Sequence, residues 1–287
     1  MTIREALNDA AATLRNARLD TPYLDAVLLL CHTLAVPKER LFADLREAMP
    51  EGALPTLRAD IDRRIAGVPV SYIRGMKEFY GREFLVDSRV LVPRPDTEIL
   101  VDAALGLVDS NPNVRRVHDV CTGSGCVAIT LKAERPTLSV SASDLSASAL
   151  DVAGENAARL LRSEDARTDP LVSFSRSDLL AEVAGNFDLI TANPPYLTSE
   201  EYAQMRSEGW PEPAMALDGG NDGLVLVRRL VIEAVECLDR NGYLCVETAD
   251  PQVSSARTIM ANAGFADVMT HTDLAGRGRV TVGRKPV

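Results

Sequence analysis

The chain has only three histidines, at 32, 118 and 271, and its five cysteines (Cys31, Cys121, Cys126, Cys237 and Cys245) form no CxxC pair. An odd cysteine count without paired spacing gives neither a disulfide framework nor a zinc ligand set. No metal is expected, and the cysteines read as small buried hydrophobes. Basic charge is scarce too, with 31 Lys and Arg against 41 Asp and Glu, a net charge of -10. Broad capture of nucleic acid needs Lys and Arg aimed at phosphates, so no direct nucleic-acid binding is expected. The doublets Arg63-Arg64, Arg115-Arg116 and Arg228-Arg229 could form a local patch, but surface arginines at helix or strand ends explain them as well. The longest nearly apolar run, "AVLLLCHTLAV", is too short to span a bilayer, and "MTIREALNDAAATLRNARLD" carries no charged-then-apolar signal. The expectation is a cytoplasmic chain with no membrane partner. There is no internal repeat or low-complexity segment.

What is present is ordinary globular composition, 46% hydrophobic and 25% charged over 287 residues, enough for one large core or two domains. Residues 1–75 read as a small helical domain. "TIREALNDAAATLRNA" sets Ile3, Leu7, Ala11 and Leu14 at helical spacing behind a Thr2 cap, and a second helix starts at Thr21-Pro22 with Thr as cap. "PKERLFADL" and "LPTLRADIDRRIAG" supply two more helices. Residues 76–94 read as a β-hairpin linker around Gly81, punctuated by Pro93 and Pro95.

From 95 to 287, strand and helix signals alternate: "RRVHDVC", a helix from 126, "LSVSASD", a helix from 146, "VSFSRSD" and "FDLITAN". A loop, a helix from about 223, "GYLCVET", a helix from 251, "FADVMTHTD" and "GRGRVTVGR" complete the pattern. Such alternation predicts an α/β fold with a mostly parallel, Rossmann-like sheet, and the last two strands, joined without a helix, imply one antiparallel edge.

Four clusters carry chemistry. "DVCTGSGC" (Asp119, Cys121, Thr122, Gly123, Ser124, Gly125) is a glycine-rich turn after the first strand of the sheet, at the head of a helix, where backbone amides can approach a ligand. The third position of the dinucleotide fingerprint is Ala128, which the looser form allows, and no Gly-Lys-Ser/Thr makes it a P-loop. Asp144, with Leu145 beside it, ends the next strand about twenty residues on, where an acid accepts from both ribose hydroxyls of a nucleoside cofactor. Its bland role is to cap the following helix, a task Ser146 could also take. Asp178 ends the third strand and could receive an adenine amino group while Leu179 packs on the ring, or could cap a helix.

The fourth cluster is "ANPPY". Two successive prolines cannot continue a ladder. They free the Pro194 carbonyl, so that it and the Asn193 side chain offer two acceptors to one planar NH2 group, while Pro195 and Tyr196 shape the slot and supply an aromatic face. An NH2 conjugated to a carbonyl or ring is a poor nucleophile. Holding both its hydrogens while the nitrogen faces an electrophilic methyl favours attack in line with a sulfonium leaving group, which needs positioning more than a strong base. Asn193, Pro194 and Tyr196 are therefore the catalytic candidates, and Asn193 also borders the cofactor.

On these residues the chain resembles the class I S-adenosylmethionine-dependent methyltransferases with a seven-stranded sheet. More narrowly, it resembles the bacterial release factor glutamine methyltransferases, the HemK/PrmC family. The likeness covers nearly the whole chain through "EFYGREFLVDSRVLVPRPDTE", "DVCTGSG", "ANPPY", "EPAMALDGGNDGL" and "GRGRVTVGR". Residues 91–98, "LVPRPDTE", are its most specific marker, because a sister branch acting on a ribosomal protein usually lacks the Pro-Asp-Thr-Glu run. The resemblance implies S-adenosylmethionine as methyl donor and the glutamine of the Gly-Gly-Gln tripeptide of peptide chain release factors as acceptor. It also implies an N-terminal domain that helps grip that protein, with no partner subunit needed, hence a monomer. Two departures stand out: Cys121 where the family commonly has glycine, and Ala249 soon after Glu247 where a glycine is common. Alternatives are glutamine methylation of a ribosomal protein, amino methylation of nucleic acid, which would want a basic groove, and a non-catalytic binding module on a decayed fold.

Overall fold

A computed structural model describes residues 1–161 and 171–287. The chain divides into two units, Met1–Met76 with Glu208–Pro211, and Lys77–Ser207 with Glu212–Val287. Among the described residues no helix is long and apolar enough to cross a membrane.

The smaller unit is helical: α1 (Ile3–Asn16), α2 (Pro22–Leu34), α3 (Lys38–Ala43), α4 (Ala53–Ile65) and α5 (Val70–Arg74). A reciprocal cap opens α1, where the Thr2 hydroxyl accepts from the Glu5 amide and the Glu5 carboxylate accepts from the Thr2 amide. Ile3, Leu7, Ala11 and Leu14 are all buried, as their spacing predicts, against Leu29, Leu30, Leu57 and Ile61. Thr21 stands at the start of α2 but does not cap it through its side chain. Its hydroxyl donates instead to Asp25 at 2.9 Å, and that buried carboxylate also holds Arg64 of α4 at 2.7 Å. A buried acid needs donors more than a helix end does, so the hydroxyl turns to it. Helix α5, not foreseen in the sequence, follows Pro69 and ends at Gly75 with φ 69°.

The larger unit begins within the hairpin of β1 (Met76–Phe79), at Lys77, and β2 (Arg82–Leu85). Tyr80 and Gly81 both take left-handed φ, 49° and 70°, as a two-residue type I′ turn requires. The hairpin is no bare connector, since Phe79 and Phe84 meet edge to face at 6.0 Å and lie in the unit's core. After it come α6 (Glu98–Ser110), β3 (Arg116–Val120), α7 (Cys126–Glu134), β4 (Ser139–Asp144), α8 (Ala147–Leu160), β5 (Val172–Arg176) and β6 (Phe187–Ala192). Then follow α9 (Ser199–Ser207), α10 (Val225–Cys237), β7 (Leu238–Glu247), α11 (Val253–Asn262), β8 (Ala266–Thr272) and β9 (Gly278–Arg284). Two of these helices go beyond the sequence reading. Helix α6 buries Leu100, Val101, Ala104 and Leu105, whereas α9 buries nothing and so leaves no apolar stripe to read.

The seven strands lie in the order β5-β4-β3-β6-β7-β9-β8. Strands β3 to β7 are mutually parallel, and β9 is antiparallel to both its neighbours, β7 and β8. The expected antiparallel strand is present, one place in from the edge. The inner place buries five of the seven residues of β9, while β8 at the edge buries none. Apolar clusters cover the two faces of the sheet, one built around Leu100, Ile129 and Leu131 and the other around Val227, Leu230 and Val231. In mid-sheet His118 sits between the Ser141 and Ser143 hydroxyls at 2.7 and 2.9 Å, and burial pushes its pKa down to about 4. It stays neutral and structural.

Candidate active site

The strand order reverses between β3 and β6, because the chain goes from β3 out to β4 and β5 and then returns to the other side of β3. Open parallel sheets bind ligands at such a switch point, beyond the carboxyl ends of the strands. A cleft of about 390 Å³ lies there, lined by Cys121, Gly123, Asp144, Leu145, Asp178, Leu179, Asn193 and Pro195 among others. Eight residues singled out in the sequence thus come together from the ends of four strands.

The glycine turn is held from beneath. Asp119 is fully buried, and its two oxygens accept from the hydroxyls of Thr122 and Thr191, each at 2.7 Å, tying the turn to β6. Burial pushes its pKa up to about 6 against those bonds. Asp119 and Thr122 therefore shape the turn. Asp144 accepts from the Gly123 amide and from the Ser146 amide, each at 2.9 Å, so this acid braces the turn from the next strand. The cap of α8 falls to Ser146, whose hydroxyl accepts from Ala149. Gly125 carries φ 79°, which strains a side chain, and a Cβ there would also press on Ile129 at 2.8 Å and Ala153 at 3.2 Å, so glycine suits the turn beside α7 and α8. Cys121 and Leu179 take left-handed φ of 57° and 54° just past β3 and β5, a conformation non-glycine residues rarely adopt and which clusters at ligand sites. No helix follows β5, so Asp178 caps none. Its carboxylate meets Arg229 at 3.0 Å.

Sequence reasoning missed Asn156 on α8. It is wholly buried, its Oδ1 accepts from the Leu85 amide at 2.7 Å, and its Nδ2 donates to the Leu85 and Ser124 carbonyls at 3.0 Å each. One side chain thus fastens the hairpin to the glycine turn. Asn156→Leu removes three hydrogen bonds to backbone groups, the Ser124 carbonyl's being buried and those of Leu85 part-buried, and is expected to lower the unfolding free energy by about 3 kcal/mol, read from urea denaturation. No local pattern marks such a residue, because its partners are 71 and 32 positions away in the chain.

At the end of β6, Pro194 and Pro195 are buried while Asn193 and Tyr196 are partly exposed. The Tyr196 hydroxyl is pushed up to about 12 by burial, so it stays protonated. The loop is moulded from behind by the glycines of "DGGNDGL". A Cβ on Gly219 would stand 2.5 Å from the Pro195 carbonyl oxygen, and one on Gly223 would overlap the Tyr196 carbonyl oxygen and the Gln252 amide. Gln252 donates to that same Tyr196 carbonyl at 2.7 Å.

The run "LVPRPDTE" spends each polar residue on a distant partner. Arg94 pairs with the buried Glu212 carboxylate, which also accepts from the Val92 amide at 2.9 Å. Asp96 meets Arg279 at 2.8 Å, and Glu98 accepts from the Tyr80 amide at 2.8 Å. Thr97 lies 3.1 Å from Nδ2 of Asn193 and 3.2 Å from Oε1 of Glu247. Glu247 ends β7 almost wholly buried, and burial pushes its pKa up to about 7. A small cavity of about 50 Å³ joins Arg94, Thr97, Cys121, Gly123 and Asn193, so this segment shares a wall with the glycine turn.

Known proteins match along the whole length. Residues 5–75 match the family described as PrmC N-terminal domain, and residues 97–208 the one described as methyltransferase small domain. A release factor glutamine methyltransferase of Burkholderia pseudomallei is 37% identical over 96% of this chain and 96% of its own. Another of the same name from Cereibacter sphaeroides is 38% identical over 100% of this chain and 99% of its own. Among solved structures, a methyltransferase from Pyrococcus furiosus superposes with a TM-score of 0.51 at 17% identity, covering 80% of this chain and 98% of that one, a likeness of fold.

Proposed function

For a chain that belongs to the release factor glutamine methyltransferase family, we propose transfer of a methyl group from S-adenosylmethionine to the side-chain amide nitrogen of the glutamine in the Gly-Gly-Gln tripeptide of peptide chain release factors. The observation that carries this reading is the shared cleft, whose lining includes Asn193 and Pro195 as well as Gly123 and Asp144. An acceptor site and a nucleoside site open on one space.

The donor set suits the cofactor. Asp144 offers a carboxylate at the end of β4, where ribose hydroxyls can donate to it, and the glycine turn leaves open space at Gly123, where no atom would lie within 4 Å of an added Cβ. Asp178 and Leu179 line the same cleft at the end of β5, suited to an adenine edge and face. When bound, S-adenosylmethionine supplies an electrophilic methyl on a sulfonium.

The chain's own part is positional. Asn193 Oδ1 and the Pro194 carbonyl accept the two hydrogens of the acceptor NH2 and hold its nitrogen out of conjugation. Pro195 and Tyr196 set the width of the slot. As the N–CH3 bond forms, the methyl's bond to the sulfonium sulfur breaks with both electrons staying on sulfur as a neutral thioether, the nitrogen sheds one proton to water, and the rest of the amide is unchanged. No strong base is needed, because that proton becomes acidic only as the bond is made.

Two measurements test this. Labelled S-adenosylmethionine, the protein and a bacterial release factor should give one added methyl, mapped by peptide mass spectrometry to the tripeptide glutamine and absent from a Gly-Gly-Ala acceptor. Transfer to a different residue, or none, would reject the reading. Asp144→Ala should weaken cofactor binding roughly tenfold to a hundredfold by titration calorimetry, the worth of hydrogen bonds to a charged acceptor.

A further inference from the structure

An asparagine can present either end of its amide, since oxygen and NH2 are alike in size and shape. A site that must accept hydrogens from an NH2 group works only if Asn193 shows its oxygen. Something has to fix that choice, and the surroundings of Asn193 contain a one-way chain of hydrogen bonds. An ionised Glu247 can only accept, so the Thr97 hydroxyl, 3.2 Å from Oε1, must donate to it. With its hydrogen committed, Thr97 can offer Asn193 only lone pairs, and the group it meets at 3.1 Å is Nδ2. Oδ1 is then the end turned away from Thr97.

We propose that Thr97 and Glu247 are positioning residues that lock the Asn193 side-chain amide with its oxygen toward the acceptor, and so make the site selective for an NH2-bearing acceptor over a carboxylate. The proposal rests on the glutamine-methylation reading above. A second observation supports it independently. Glu247 is 1% exposed, and its Oε2 has no hydrogen-bond partner among the described residues. An acid buried at the end of a central strand with half its acceptors idle is a costly choice for packing alone, where a neutral side chain would do. It is the acceptor-only character of a carboxylate that gives the chain its direction.

The charged and titratable groups facing Glu247 are Asp96 and Arg279, paired with each other, together with Tyr196 and Cys126. Burial raises its pKa most, Asp96 adds to that, and Thr97, Arg279 and Asn193 lower it, leaving it at about 7. Below that pH a protonated Glu247 can donate to Thr97, the hydroxyl can turn to Asn193, and the amide is free to flip. The sign is therefore fixed: selectivity and rate rise with pH through the neutral range.

The test compares wild type with Thr97→Val, Thr97→Ser and Glu247→Gln, using the intact release factor as acceptor and a thermal melt to confirm folding. Expected is a wild-type kcat/KM that climbs about tenfold from pH 6 to pH 8 and a flat profile in Glu247→Gln. Thr97→Val should lose roughly tenfold to a hundredfold in kcat/KM with the cofactor Kd unchanged, and Thr97→Ser, which keeps the hydroxyl, should recover most of it. A Gly-Gly-Glu release factor should compete poorly with wild type and about tenfold better with Thr97→Val. The 15N side-chain amide signal of Asn193, assigned by its loss in Asn193→Ala, should titrate near neutral pH in wild type and not in Glu247→Gln. Thr97→Val with wild-type kcat/KM, or an Asn193 signal indifferent to both pH and Glu247→Gln, would overturn the lock while leaving glutamine methylation intact. If wild type methylates no release factor, the functional reading fails, and the Asn193 titration still decides the lock.

Discussion

Asn193→Ala is expected to bind the cofactor within a few-fold of wild type yet lose about 10² to 10³ in kcat with release factor, the size seen when one preorganised polar group is removed from a reacting centre. The reason is geometric. Pro194 would still offer its carbonyl, but a single acceptor holds one hydrogen of the amide and lets the nitrogen relax into conjugation. Asn193→Asp keeps an oxygen in place and should fare no better, because Thr97 would then stand between two carboxylates, the introduced one and that of Glu247, with one hydrogen to share. Single-turnover rates beside calorimetric cofactor affinities separate the two steps. A loss that appears equally in cofactor affinity would assign Asn193 to nucleoside binding instead.

Gly223→Ala should be the most damaging change outside the slot. The position has φ 68°, and an added methyl would collide with the Tyr196 carbonyl and the Gln252 amide, which hold each other at 2.7 Å. Backbone cannot yield there as a flexible side chain could, so the loop carrying Tyr196 must shift. A displacement near 1 Å at a reacting centre costs about 10²-fold in rate, and strain at a special φ with a backbone clash costs about 3 kcal/mol of stability. Urea denaturation and kcat/KM should fall together in Gly223→Ala. Gln252→Ala, which removes the brace without a clash, should lower kcat/KM by about tenfold and cost only about 1 kcal/mol of stability, since the site is partly exposed and water can replace the lost bonds. Wild-type stability and rate in Gly223→Ala would mean that the glycine run has no part in shaping the slot.

How far the site is legible in the sequence follows from how local its determinants are. Asp144 closes its strand and Asp178 lies two residues past another, the glycine turn and the Asn-Pro-Pro-Tyr run are short and contiguous, and the alternation of strand and helix brings them to one end of a sheet. Their meeting in one cleft follows from that order alone. Thr97, Asn156 and Glu247 carry no assignable role in the sequence, because their work consists of contacts across 96, 71 and 150 positions of chain that no window contains. Asp119 and Asp178 are legible only in part for the same reason, since Thr191 and Arg229 claim some of their hydrogen-bonding capacity. Helix α6 escapes a reading by pattern although its apolar stripe is plain, as the proline-rich run before it reads as a boundary. The place of β9 is not written in its composition, since ADVMTHT carries at least as many apolar side chains as GRVTVGR, and topology rules alone leave the order open.

The interposed position of β9 also constrains the order in which the chain can be assembled. β9 follows β8 in the chain yet lies between β8 and β7, so the sheet cannot grow by adding strands in the order of synthesis. Until residues 278–284 are available, β7 presents a bare edge and Glu247 lacks the strand whose Val280 lies opposite it. Arg279, which reaches Asp96 from that same strand, arrives at the same moment. A nascent or truncated chain that stops short of β9 could carry a finished glycine turn and still have no working acceptor slot. On the proposed function, such a chain would be able to hold the nucleoside before it could hold an acceptor.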